Sequence, residues 1–222
     1  MDTRTPAAVL WDMDGTLVDT EPYWIDSEFE LIAEHGGTWS HEHAMHLVGN
    51  DLLVSGRYIA EHAGVDLEPT VIVEELLDRV TLRVEAEVPW RPGARELLTT
   101  LRERGVPCAL VTMSYRRFVI PVLEMLPEGT FDTIVTGDSV DRGKPHPEPY
   151  LQAAAALGVD PADTLAIEDS DTGARSAEAA GCTVLVVQHH VPVPPGERRV
   201  FAKTLVGLGL DDLPLPQSAT RS

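Results

Sequence analysis

Five short apolar runs, each followed by a polar or glycine-containing turn and then by a helix-like pattern, restrict this chain to a buried parallel sheet covered by helices. The runs span 7–11, 107–112, 133–136, 164–167 and 183–187, and most are apolar on both faces, as strands are when helices pack on both sides. Helix patterns follow at 93–104, 115–126, 148–157 and 172–180, with Gly105, Gly158 and Gly181 as stop signals. Between 19 and 90 the rhythm breaks. That stretch carries amphipathic patterns at 23–35, about 40–47, 51–63 and 69–87, and no convincing strand. The expected fold is therefore α/β, a doubly wound parallel sheet built from 1–18 and 91–222, with an inserted α-helical domain at 19–90. Such an insertion would sit above the carboxyl ends of the strands, where open α/β sheets bind ligands. The tail after Gln188 is proline-rich, then apolar again over 200–210, and is expected to pack back on the core before fraying from Pro214.

Charge narrows the function. Seventeen basic against thirty-six acidic residues give a formal charge of −19, which repels nucleic-acid phosphates and anionic lipid at long range. No nucleic-acid or membrane partner is expected. A small anionic substrate remains open, because a cation, a metal and backbone amides override the global field at close range. The polar start of the chain and the lack of a long apolar stretch lead to the expectation of a cytoplasmic protein, a monomer with a dimer left open. Cys108 and Cys182 lie beside apolar runs and read as buried thiols.

The chemistry concentrates at strand ends. Asp12 and Asp14, one residue apart, follow directly from the first apolar run. In extended chain they share a face, and their repulsion must be relieved by a cation or a shared proton. A plain Asp-Gly turn is the competing account for this motif alone. Glu168 and Asp169 end another run and would converge on the same rim, a carboxylate cluster suited to Mg²⁺. Ser170 and Asp171 read instead as helix caps. The chain has fifteen arginines but only two lysines, Lys144 and Lys203, and Lys144 sits in the rigid turn Gly143-Lys144-Pro145-His146-Pro147. A compact ammonium fits between carboxylate and phosphate where a planar guanidinium does not. Thr112, Met113 and Ser114 end the second run and offer hydroxyls and backbone amides to phosphate oxygens.

These four segments, in this order on successive strand ends, resemble the four motifs of the haloacid dehalogenase superfamily of phosphohydrolases. The helical insertion resembles that of the β-phosphoglucomutase-like and phosphoglycolate phosphatase-like branch, whose cap opens and closes over a Rossmann-like core. The resemblance implies that Asp12 attacks phosphorus and becomes an aspartyl-phosphate, and that Asp14 protonates the leaving alcohol and then activates water. It further implies Mg²⁺ held by Asp12, Asp14 and Asp169, with Glu168 acting through water, while Lys144 and Thr112 bind the transferring group. Gly49, Asn50 and Arg57 fall where cap residues of this branch contact substrate, although helix capping by Asn50 or Asp51 competes with that reading.

Departures from relatives select among activities. Family dehalogenases lack the second acid that Asp14 supplies. Phosphonate-cleaving relatives need a cap lysine, and no lysine occurs between Asp19 and Trp90. β-Phosphoglucomutase-like enzymes use a cap lysine and a histidine where this chain has Trp24. The expected activity is thus Mg²⁺-dependent hydrolysis of a small phosphorylated metabolite, such as a sugar phosphate or a phosphoglycolate-like acid. A sugar phosphomutase and a catalytically silent binding protein stay open as alternatives. His41, His43 and His46 read as a solvated helix face, because Mg²⁺ prefers oxygen, and His189-His190 receives no role.

Overall fold

The computed structural model describes residues 5–48 and 50–216. Among them the apolar runs form β1 (Ala8–Trp11), β2 (Cys108–Val111), β3 (Thr133–Val135), β4 (Thr164–Glu168) and β5 (Thr183–Val187), joined by a sixth strand, β6 (Arg199–Ala202). All pair in parallel in the order β3-β2-β1-β4-β5-β6. The chain thus builds outward from β1 to one side through β2 and β3, then returns to build the other side from β4. That reversal makes the gap between β1 and β4 the switch point at which doubly wound sheets bind ligands.

β1, β2, β4 and β5 are buried along their whole length, which their continuous apolar sequences require. β6 goes beyond expectation: the segment packs back on the core, and does so as an added edge strand. Its sequence, Arg-Val-Phe-Ala, is too short and too exposed to carry strand periodicity. Side-chain charge holds it: Arg199 reaches Asp171 Oδ1 at 2.6 Å and Glu178 Oε2 at 2.8 Å. Both partners lie on the helix 171–180 beside the strand.

The chain divides into two units. The first comprises 1–19, 90–116 and 126–222, and holds the sheet. Its helices are α5 (Ala94–Glu103), α7 (Glu148–Leu157) and α8 (Asp171–Ala180), and one core packs Tyr150, Ala153, Ala174 and Ala177 against Leu10, Ala109, Val111 and Val184. Cys108 and Cys182 are buried free thiols in this unit, pushed up to about 12 and about 11 by burial.

The second unit comprises 20–89 and 117–125. Its helices are α1 (Glu21–Glu34), α2 (His41–Leu47), α3 (Leu52–His62) and α4 (Pro69–Ala86), and most of α6 (Arg116–Glu124) belongs with it. Leu31, Ile32, Leu47, Ile59, Ile72 and Leu76 form its core. Pro22 and Pro69 occupy the first turns of α1 and α4, where a missing N–H costs nothing. Asp51 caps α3 by accepting from the Leu53 and Val54 amides. Arg79 and Arg83 of α4 pair with Glu34 and Glu30 of α1. No helix among the described residues is long and apolar enough to cross a membrane.

Candidate active site

Parallel register brings the functional side chains to one edge. Trp11 lies opposite Leu110 of β2 and Ile167 of β4, so the residues that follow, Asp12, Thr112 and Asp169, leave the sheet on the same rim. The Asp12 amide extends the ladder by one bond to the Ile167 carbonyl. After Asp12 the chain reverses through a tight turn, with Gly15 donating to Val18 and Val18 donating to Met13.

Lys144 is the centre of the arrangement. Its Nζ donates to Asp12 Oδ1 at 2.8 Å, to the Val111 carbonyl at 2.9 Å and to Glu168 Oε1 at 2.6 Å. All three ammonium donors are thus used in a buried setting. Burial opposes the charge, yet Asp12 and Glu168 together hold the ammonium above its ordinary range. The turn that delivers it has a cis Lys144–Pro145 peptide, and the Lys144 amide donates to the Met113 sulfur. Met113 thereby supports Lys144 with its side chain.

Glu168 is fully buried, and both of its oxygens are engaged. Lys144 and the Tyr150 hydroxyl donate to Oε1, the latter at 2.6 Å, and Ser170 Oγ donates to Oε2 at 3.2 Å. Ser170 also caps α8 by accepting from the Gly173 amide. A Cβ on Gly173 would overlap the Glu168 carboxylate, so glycine is required for the close approach of helix and carboxylate. Gly15 has the same role opposite Asp169. Its φ of +86° suits glycine, and a Cβ there would overlap the Asp169 carboxylate.

Asp14 is held by a different set of groups. Its Oδ2 accepts from Ser114 Oγ at 2.7 Å and from Thr112 Oγ1 at 3.2 Å. Thr112 Oγ1 in turn accepts from the Ser114 amide, which fixes both hydroxyls. Asp12, in contrast, is 7% exposed and has one oxygen, Oδ2, buried with no partner. Burial, Glu168 and Asp14 push its carboxyl up to about 7, against the pull of Lys144. Asp169 is raised well above the carboxylate range, first by burial and then by Asp12 and Glu168.

These features fit a divalent cation. Oxygens of Asp12, Glu168 and Asp169 lie within 4.8 Å of one another, and an all-oxygen donor set with a carboxylate oxygen left unpartnered suits a hard ion. The other group of metal-capable atoms among the described residues is Asp19, His189 and His190. His43 instead stacks on Trp39 and shares a hydrogen bond with the Tyr58 hydroxyl.

Asp12, Asp14, Thr112, Ser114, Lys144, Glu168 and Asp169 therefore meet within the sheet unit. Asn50 and Arg57 are exposed residues of the helical unit, and Asn50 donates to the His46 carbonyl as a cap on α2. Gly49 lies outside the described residues. Sequence reasoning gave no role to Tyr150, Gly15 or Gly173, and read Ser170 as a cap only. The available signal was spacing, with Tyr150 six residues after Lys144 and Gly173 five after Glu168, both within the first turns of helices that begin at the rim.

Residues 9–187 match the family model for haloacid dehalogenase-like hydrolases. Hexitol phosphatase B of Escherichia coli K12 is 32% identical over 187 residues, covering 83% of this chain and 84% of that protein. Phosphoglycolate phosphatase 1 of Pseudomonas aeruginosa is 32% identical over 219 residues, covering 95% and 79%. The crystal structure of CbbY from Rhodobacter sphaeroides in complex with phosphate superposes with a TM-score of 0.83 at 26% identity, covering 93% of this chain and 98% of that one. With its carboxylate-and-lysine rim and its relatives in agreement, the chain belongs to the haloacid dehalogenase-like hydrolases, as a phosphatase of the β-phosphoglucomutase-like and phosphoglycolate phosphatase-like branch.

Proposed function

We propose that this protein hydrolyses a small phosphorylated metabolite, a sugar phosphate, hexitol phosphate or phosphoglycolate-like acid, by transferring the phosphoryl group to Asp12 and then to water. The observation that carries the reading is the Lys144 ammonium joined to Asp12 and Glu168, with the second Asp12 oxygen left without a partner. Lys144 holds Asp12 in one orientation and restricts its rotation. The free carboxylate electrons attack phosphorus in line, the new P–O bond to Asp12 forms, and the bond to the alcohol oxygen breaks. Asp14, aimed by Thr112 and Ser114, gives its proton to the departing alkoxide. It takes a proton back from the water that cleaves the acyl phosphate and frees phosphate from Asp12.

Asp12, Asp169 and the backbone carbonyl of Asp14 are the proposed holders of Mg²⁺, with Glu168 acting through water. Bound there, the ion supplies positive charge that offsets repulsion between an anionic nucleophile and an anionic ester. Glu168 has both oxygens engaged, so its main task is to hold Lys144.

The substrate class rests on the names of the relatives, two of which are phosphatases of hexitol phosphate and of phosphoglycolate type. Selectivity is assigned to the helical unit, with Gly49, Asn50 and Arg57 as candidates. A mutase reading finds less support, because neither lysine of the chain lies in that unit. The test is phosphate release from a panel of hexitol phosphates, hexose phosphates and phosphoglycolate, with Mg²⁺, with EDTA, and with Asp12→Asn. Release that needs both Mg²⁺ and Asp12 supports the proposal. Undiminished release by Asp12→Asn removes it.

A further inference from the structure

Two residues beyond Asp14, on the same turn, Thr16 lines a cleft of about 170 Å³ that it shares with Arg91, Lys203 and Thr204, with Val187 and Leu205 as apolar wall. Thr16 is 1% exposed, and its hydroxyl has no hydrogen-bond partner. That hydroxyl is closed off from solvent, so Thr16 forms part of the floor of the cleft and the polar reach into it comes from its neighbours. The lining contains two cations and no carboxylate, in a chain where acidic residues outnumber basic ones thirty-six to seventeen. Lys203, one of only two lysines, makes no ion pair among the described residues.

Arg91 is held in place from outside the cleft. Its NH1 lies 2.9 Å from His189 Nδ1, and His189 Nε2 lies 2.9 Å from Asp19 Oδ1. Because arginine only donates, Nδ1 must accept, which puts the imidazole proton on Nε2, facing Asp19. A metal ion at Asp19, His189 and His190 would need the lone pair that this tautomer has given up. The group therefore reads as a brace for the guanidinium rather than as a metal site.

We infer that the Thr16–Arg91–Lys203 cleft binds a small tetrahedral oxyanion, either inorganic phosphate or the phosphate group of a metabolite. The Thr204 hydroxyl donates to its oxygens, and Arg91 and Lys203 balance its charge. Occupancy also ties the catalytic turn to the chain returning at 90–91, since the Arg91 amide donates to the Leu17 carbonyl.

The test uses the full chain in EDTA, where the carboxylate-lined rim, without a cation, repels anions, and binding reports on the cleft. Inorganic phosphate and sorbitol 6-phosphate are titrated by calorimetry, with Tm followed in parallel against chloride at matched ionic strength. The expected result is one phosphate bound per chain, about tenfold weaker in Lys203→Met and lost when Arg91→Gln is added to Lys203→Met. Ligand-free Thr16→Val is expected to melt about 2–4 °C higher, because a methyl replaces the unpartnered hydroxyl. Tighter binding of one anion identifies the source as free phosphate or metabolite. No binding by the unmodified chain, a Tm rise matched by chloride, or undiminished binding in both Lys203 variants would overturn the inference.

Discussion

Two buried glutamates, one in each unit, show how differently this chain treats a carboxylate taken out of water. Glu168 in the sheet unit receives an ammonium, a phenol and a serine hydroxyl, and every one of its partners is itself anchored. Glu28 in the helical unit is 5% exposed and receives the Trp39 indole N–H at 3.0 Å. Burial pushes Glu28 up to about 8, the indole opposing and Glu21 adding to the rise. A charge that is to be used is compensated by a cation and by hydrogen bonds together, whereas Glu28 is accommodated by keeping its proton. The cation in the first case is a lysine, although the chain otherwise uses arginine almost throughout.

The contrast breaks most visibly at Lys144. Lys144→Met leaves Asp12 and Glu168 without their shared cation, and is expected to abolish phosphate release and to cost about 3–5 kcal/mol in urea unfolding. Lys144→Arg should fail to restore activity, because a planar fork cannot reach Asp12, Glu168 and the Val111 carbonyl from the same space. Near-normal turnover in either variant would mean the ammonium is not central. Asp14→Asn comes next, with loss on the order of 10²–10⁴-fold on an alkyl phosphate. The deficit should shrink in the first step for p-nitrophenyl phosphate, whose leaving group needs no acid, so that a burst of nitrophenol precedes slow turnover. Equal first-step deficits on both substrates would remove Asp14 as the acid.

Glu28→Gln is the smallest change and sharpens the other side of the comparison. The folded-state value lies above the unfolded value of about 4.3, so the unfolded chain ionises first. Stability is then lost as pH rises from about 4.3 to about 8 and levels off above that range. The amide keeps the acceptor for Trp39 and cannot ionise. Glu28→Gln should raise Tm by on the order of 5 °C at pH 8 and little near pH 4, with activity unchanged. A Tm gain independent of pH would contradict the assignment.

Legibility followed chemistry that repeats along the chain. β1, β2, β4 and β5 announce themselves as apolar runs because both faces are covered, and the polar residues that end them could only be at a rim. β6 could not be read that way, since it is held by Arg199 reaching two acids of α8 rather than by its own pattern. Asp12, Asp14, Lys144 and Asp169 stand out by type and setting. Tyr150 reads as an ordinary aromatic of an amphipathic helix until the fold places its hydroxyl on Glu168. Gly15 and Gly173 are visible as glycines, but what each makes room for lies more than a hundred positions away for the first and in the preceding turn for the second. Thr16 is hidden for a similar reason: an unpartnered hydroxyl is a property of surroundings, not of sequence.

The most direct test of Asp12 as the group that takes the phosphoryl is to trap it. Asp14→Asn protein, loaded with Mg²⁺ and p-nitrophenyl phosphate, is quenched in acid during the burst, digested and read by mass spectrometry. The account predicts one phosphoryl group on the peptide that contains Asp12, absent when Asp12→Asn is added. A burst with the phosphoryl group on another residue, or with no phosphoprotein at all, would contradict it.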